Sequence, residues 1–497
     1  MQDNKQDNIV ETKSGRVSGA YEKDVATWKG IPYAAPPVGN LRFRPAQPPE
    51  NWKGILDASA HSAICPQNRR SRQIASEDCL TLNIWSPGAD DRKRAVFFYI
   101  HGGSFCSGAG SDPEYNGANL AKAADVVVVT INYRLGALGF LDFSFLGEEF
   151  SPNCGLSDIV QALRWVYENI SAFGGDPESI TVLGQSAGAI AASVLPVMPA
   201  AKKYVSKVIM MSGGPTLLYT REEYQNVAKQ FMKFMGISSA QELLSIPAAR
   251  LVGSQKKFAS HCGLGDGTFM IEVDGGLVPE YPIPAAAQGA AKDIPILIGT
   301  TKEEMSFLCI KVLSNVLDIK KILKRNIALE KEETRMRLEK AYLRYGKRAE
   351  SMMLTDRVFR MASVWYAEVY SQYANTWMYR FDYETTAMKA CALRACHSSD
   401  IPFVFGNFHA GIFKWMFLLS SAKTSKRISA EVQRDFAEFA KKGSLSWQEC
   451  CGRDTPAKCY DKCFSVIPMV DPEIEKEYDK SEFKRQSFRG LNAVHLG

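Results

Sequence analysis

Apolar positions along the chain fall into two alternating patterns. Nearly unbroken apolar blocks at residues 95–100, 126–131, 180–183, 205–211 and 294–298 read as strands buried on both faces. Between them, over 156–170, 222–234 and 239–244, apolar residues recur at helical spacing. Strands alternating with helices predict a doubly wound α/β sheet. Residues 80–85 alternate as a further strand, and 377–383 and 464–467 return to strand character late in the chain. The start differs, because 9–16 and 17–28 read as short strands broken at Ser14-Gly15 and Ser18-Gly19, a hairpin-like opening. From about 305 to 370 the pattern turns helical, with 319–345 rich in Lys, Glu and Arg on a solvated face. Residues 432–441 predict an amphipathic helix. No internal repeat or low-complexity linker marks a boundary, so residues 1–497 read as one large domain with a helical insertion over about 305–370.

Composition narrows the partners more than the fold. A 46% hydrophobic and 23% charged chain is ordinary for a globular protein. Its net charge of +6 over 497 residues, with no basic stripe interleaved by aromatics, gives no case for nucleic acid. The longest apolar stretch, 411–419, is interrupted by Lys414 and is too short to span a bilayer, so no stable membrane anchoring is expected. The polar first eight residues lack the apolar core of a signal peptide, which predicts a cytoplasmic protein. In that compartment most of the twelve cysteines are expected as free thiols, and Cys65 and Cys79, flanking a short polar loop, would pair only under oxidising conditions. Cys450, Cys451, Cys459 and Cys463 form no paired C-x2-C repeat and have no histidine nearby, so no metal is expected.

Candidate chemistry centres on Gly184-Gln185-Ser186-Ala187-Gly188, directly after the block at 180–183 and before an Ala-rich helix. Glycines on both sides of a serine at a strand-to-helix junction suit a nucleophile elbow. A serine hydroxyl needs a base, and the base needs a group to fix its tautomer. In such a sheet both follow the serine, acid before histidine. Of the six histidines, His261, His397, His409 and His495 qualify by order. His397 is favoured, in the loop Cys396-His397-Ser398-Ser399-Asp400, with His409 as runner-up. The acid is expected where 296–301 ends in Lys302-Glu303-Glu304, either glutamate being eligible, with Asp266 and Asp274 as alternatives. Backbone N–H groups after Gly102-Gly103 suit a developing oxyanion.

Several stretches in order carry a resemblance: Lys29-Gly30-Ile31-Pro32-Tyr33-Ala34, Ser76-Glu77-Asp78-Cys79-Leu80, His101-Gly102-Gly103, Asn132-Tyr133-Arg134-Leu135-Gly136, Phe173-Gly174-Gly175-Asp176-Pro177, the elbow, and His397 with Ile401-Pro402-Phe403-Val404-Phe405-Gly406-Asn407. The chain resembles the type-B carboxylesterases. That likeness implies an α/β-hydrolase, with a large, mostly parallel central sheet, helices on both faces and helical insertions over the active site. It implies a serine esterase acting on small-molecule esters without a cofactor. Ser186 would be nucleophile, His397 general base and Glu304 orienting acid, Glu304 falling on the family's Gly-Thr-Thr-x-x-Glu pattern. Gly103, Ser104 and Ala187 would supply oxyanion N–H groups. Arg134 with Asp176, and Arg42 or Arg44 with Glu77, would form structural ion pairs. Phe105, Phe307, Phe413, Trp415 and Met416 are expected to contribute apolar pocket surface. Gln185 stands where the family usually carries glutamate, and Glu272 occupies a segment near the expected acyl pocket. The loop between Cys65 and Cys79 lacks tryptophan, which argues against a cholinesterase. Its Arg69, Arg70 and Arg72 would suit an anionic ester, although a solvated loop is the simpler reading. Two rivals remain: an interfacial lipase using 411–419 as a flap, and a catalytically silent binding protein. Oligomeric state is not legible in the sequence.

Overall fold

Long runs of β-branched and aromatic residues become the central strands of a computed structural model that describes residues 8–69, 73–215, 218–309, 319–418 and 420–488. The first strands along the chain are β1 (Ile9–Thr12), β2 (Gly15–Ser18), β3 (Ala20–Glu22), β4 (Val25–Pro32), β5 (Ile55–Asp57), β6 (Thr81–Ser86), β7 (Arg94–Ile100), β8 (Val127–Ile131) and β9 (Gly175–Gln185). Then come β10 (Lys207–Met211), β11 (Tyr219–Thr220), β12 (Glu272–Val273), β13 (Ile296–Thr301), β14 (Thr376–Phe381), β15 (Pro456–Tyr460) and β16 (Ser465–Pro468). The chain divides into two compact units: Met1–Ser206 with Leu217–Glu280, and Lys207–Thr216 with Tyr281–Gly497.

In the first unit the strand order is β9-β7-β8-β6-β4-β3. β7 runs parallel to both β8 and β9, whereas β8, β6, β4 and β3 pair antiparallel in succession. Every residue of β7 and β8 is buried, as a strand covered on both faces requires. β1, β2 and β5 form a small separate sheet, so the hairpin-like opening is split between two sheets. In the second unit β10, β13, β14 and β15 are parallel neighbours in that order, closed by antiparallel β16. Helices such as Ile319–Asn326, Glu332–Tyr342, Ala349–Thr355 and Met361–Tyr370 occupy the stretch between β13 and β14. Among the described residues no helix is long and apolar enough to cross a membrane.

Two expectations about charge pairing met different outcomes. Arg42, not Arg44, pairs with Glu77, donating from Nε at 2.8 Å, and its Nη1 also donates to the carbonyls of Leu244 and Ile246. The expected Arg134–Asp176 pair does not form. Arg134 instead donates to Asp158 from Nε (2.9 Å), from Nη2 (2.6 Å) and from its backbone N–H (2.9 Å). Asp158 lies on the buried face of the helix Cys154–Asn169, whereas Asp176 accepts from the backbone N–H of Glu178 in a local turn. Cys65 and Cys79 form a disulfide.

Candidate active site

Ser186 sits where β9 becomes the helix Ala187–Val194, and its backbone angles are φ 57° and ψ −123°. A non-glycine residue in this region is strained, and the surrounding packing holds it there. The flanking glycines explain how. A Cβ on Gly184 would lie 2.1 Å from the carbonyl oxygen of Gly188, and one on Gly188 would lie 2.0 Å from that of Ile100 at the end of β7. Only bare backbone fits, so the turn is as tight as the sheet allows, and the hydroxyl is lifted at the strand's C-terminal end.

The loop after β7 lies against this serine. A Cβ on Gly102 would come within 2.9 Å of Ser186 Cβ and 2.6 Å of Gln185 Oε1. Gly103, Ser104 and Phe105 follow with φ of 118°, 52° and 54°, three successive residues in the left-handed half of conformational space. His101 anchors the loop from below. Its ring is buried, stacks on Tyr133 at 4.4 Å, and its Nδ1 is 2.8 Å from the Gly102 carbonyl, while Tyr133 donates to the His101 carbonyl at 2.8 Å. Burial pushes its imidazole down to about 4, so it stays neutral and structural. Phe105 is fully buried against Phe140, with ring centroids 4.5 Å apart.

The second unit joins the other two expected groups. Nδ1 of His397 lies 2.7 Å from Oε2 of Glu304, and the His397 backbone N–H donates to the Glu304 carbonyl at 2.9 Å. The other carboxylate oxygen, Oε1, accepts from the Thr301 backbone N–H at 2.6 Å. Glu304 is fully buried, with one oxygen on the imidazole and the other anchored by the Thr301 backbone, so the carboxylate is held in place against the ring. Glu303 pairs with Arg348 instead. Of the alternative histidines, His409 is exposed, His261 ends the helix Ala248–His261 beside Phe234, and His495 lies outside the described residues. Asp274 is committed to a turn, accepting from Gly276, Val278 and Asn153. The side chain of Asp266 also lies outside the described residues.

Sequence reasoning missed three neighbours of this pair. The Phe359 ring packs on His397 at 4.6 Å between centroids, tilted by 32°. Arg360 donates to the carbonyls of Thr301 and Lys302, just ahead of Glu304. Asp400 is fully buried, with Tyr379 donating to it at 3.1 Å, and burial together with the Glu304 charge pushes its carboxyl up to about 7. The first two belong to the helical insertion, where charge patterning alone gives no signal. The third was visible only as part of the loop carrying His397. Among the expected pocket residues, Phe307 is half-buried three positions after Glu304, Phe413 and Met416 are buried, and Trp415 is 63% exposed.

Residues 6–463 match the Carboxylesterase family. The chain belongs to that family. This carboxylesterase is 39% identical over 491 residues to the para-nitrobenzyl esterase of Bacillus subtilis (strain 168), which covers 96% of this chain and 98% of that protein. Among solved structures, a thermophilic para-nitrobenzyl esterase superposes with a TM-score of 0.86 at 34% identity, covering 95% of this chain and 99% of its own. A carboxylesterase of Geobacillus stearothermophilus superposes at 0.84 with 36% identity, covering 97% and 100%. The carboxylesterase therefore has the α/β-hydrolase fold and is a serine-dependent carboxylic ester hydrolase. Among its described residues, no group of three or more His, Cys, Asp or Glu side chains is arranged to hold a metal ion.

Proposed function

We propose that this carboxylesterase hydrolyses small to medium, uncharged carboxylic esters with Ser186 as nucleophile, His397 as general base and Glu304 as the orienting acid, the two units acting as one catalytic domain. The observation that carries the reading is the 2.7 Å contact between His397 Nδ1 and buried Glu304, which leaves Nε2 as the proton acceptor. In this scheme Ser186 Oγ attacks the ester carbonyl while Nε2 takes its proton. The oxyanion is held by the backbone N–H groups of Gly103, Ser104 and Ala187, whose preorganised dipoles cost no rearrangement as charge develops. His397 returns the proton to the leaving alcohol, and water repeats the cycle on the acyl-enzyme. Apolar surface for the acyl and alcohol groups is assigned to Phe307, Phe413, Trp415 and Met416, whereas Phe105, fully buried against Phe140, packs in the core instead.

An uncharged substrate is favoured because Arg69 is already engaged. It donates to both carboxylate oxygens of Asp112, at 2.8 and 2.6 Å, so its charge is matched within the fold. Arg70 and Arg72 lie outside the described residues. A cytoplasmic location forms part of the proposal, and the Cys65–Cys79 disulfide weighs against it. A second reading, an interfacial lipase, draws on the turn Gly411–Phe417, which exposes Trp415, with Leu418 51% exposed beside it.

A panel of soluble short-chain chromogenic esters, an anionic aromatic ester and a long-chain emulsion tests these readings. Ser186→Ala is expected to lose turnover by about 10^6-fold. Glu304→Gln should lose far more than Glu303→Gln. Full turnover by Ser186→Ala would overturn the mechanism, and preference for the emulsion would favour the lipase.

A further inference from the structure

One helical segment of the insertion grips the acid loop at several points. The helices Ala349–Thr355 and Met361–Tyr370 are joined without a break by a π-helical turn, Asp356–Arg360. A π turn accommodates an extra residue within a helix, and such turns are frequent at functional sites. Several residues in and beside it contact the six-residue path from Thr300 to Met305, whereas Arg357 donates to the Asn326 carbonyl and to Glu330. Arg360 donates from Nη2 to the carbonyls of Lys302 (2.6 Å) and Thr301 (3.0 Å), and its Nε lies 3.4 Å from Thr300 Oγ1. Thr355 Oγ1 accepts from the Met305 backbone N–H at 3.2 Å and donates to the Ser351 carbonyl. Arg348 pairs with Glu303, the neighbour of the acid. The residue between these anchors, Phe359, lays its ring on His397.

We propose that the π turn Asp356–Arg360 is the positioning element of the His397–Glu304 pair, with Phe359 setting the plane of the imidazole and Arg360 pinning the loop that presents the acid. The proposal rests on Ser186, His397 and Glu304 being the catalytic groups. Arg360 is buried, and its charge is balanced within the same turn by Asp356, itself buried and hydrogen-bonded by Tyr342. A buried guanidinium balanced this way is fixed in place, because losing either partner leaves the other charge uncompensated. Its two carbonyl bonds therefore set the height of the loop rather than follow it. Phe359 acts on the other member of the pair. Glu304 holds the imidazole at Nδ1, and the aromatic face of Phe359 limits how far the ring can tip out of that bond. Without it the Nε2 lone pair samples directions away from the nucleophile. A misplacement of about 1 Å at reacting groups can lower rates by about a hundredfold.

Steady-state hydrolysis of para-nitrophenyl acetate by Phe359→Ala, Phe359→Tyr, Arg360→Met and Ser186→Ala, with thermal unfolding of each, tests the assignment. Phe359→Ala is expected to lower kcat by about ten- to a hundredfold with KM within about twofold of wild type and an unchanged melting temperature. Phe359→Tyr, which keeps the aromatic face, should restore kcat to within about threefold. Arg360→Met should lower kcat in the same way and melt earlier. Because Phe359 is only half-buried, its variants test the proposal even if Arg360→Met fails to fold. A Phe359→Ala enzyme with wild-type kcat, or one whose loss lies in KM alone, overturns the proposal. So does a Phe359→Tyr enzyme as damaged as Phe359→Ala. Should Ser186→Ala keep turnover, it is the catalytic assignment that falls, separately from the role of the turn.

Discussion

Glu272 carries a buried carboxylate whose two oxygens accept no hydrogen bond among the described residues. Among the described residues its counter-charge is Arg221, at 3.4 Å from a half-exposed side chain, while Asp142 and Asp274 add like charge. Burial, then Asp142, pushes its carboxyl up to about 8. In the unfolded chain the same group ionises near 4.3. The folded state therefore holds a proton that the unfolded state has released, and stability falls as pH rises from about 4.5 to about 8. The advantage of Glu272→Gln over wild type in urea unfolding should grow by about 4 kcal/mol between pH 5 and pH 8.5. An equal gap at both pH values would refute this. Arg134 makes a second residue-scale case. Removing Asp158 strands a buried guanidinium, at about 3–5 kcal/mol, whereas Asp176→Ala should change stability by under about 1 kcal/mol. The sequence marked Glu272 and Arg134 as notable. It did not reveal their partners, because burial on a distant helix leaves no local signature.

Glycine decides much at the scale of elements, and its effect depends on place. Gly188→Ala would drive a Cβ into the Ile100 carbonyl between β7 and the elbow helix, so it should cost at least about 1–3 kcal/mol and abolish turnover. Gly253 lies within the helix Ala248–His261, and a Cβ there would meet nothing within 4 Å, so Gly253→Ala should stabilise by about 0.5–1 kcal/mol. Chemical unfolding of the pair checks both signs. The buried central strands were legible because burial on both faces removes polar interruptions, as in β7 and β8. β15 was not. Its Lys458 breaks the apolar pattern, yet it is buried because its amine pairs with Glu431 and Asp435. The helix Ala422–Lys442 likewise begins ten residues before its legible half, started by Ser421 accepting from Thr424 rather than by apolar periodicity.

For the molecule as a whole, the disulfide between Cys65 and Cys79 is the feature most sensitive to surroundings. Closing a loop of about this length contributes about 3 kcal/mol by restricting the unfolded chain. Dithiothreitol, or Cys79→Ser, should lower the denaturation midpoint by a matching amount, and an unchanged midpoint would mean that the pair is reduced in solution. The expected order of serine, acid and histidine along the chain came from the fold class and not from the chemistry, since the same triad runs in other orders on other folds. The division into two units was not legible, because no composition change marks where the chain passes between them.

That division has a consequence for biosynthesis. The chain leaves the first unit at Lys207, returns at Leu217 and leaves again at Tyr281, so no single cut yields either unit whole. Val208 of β10 pairs with Ile296 of β13, and β13 in turn waits for β14. At ribosomal rates of about 5–20 residues per second, the apolar edge of β10 spends several seconds on the nascent chain before its partner emerges. During that interval β10 offers an unpaired apolar edge to other chains.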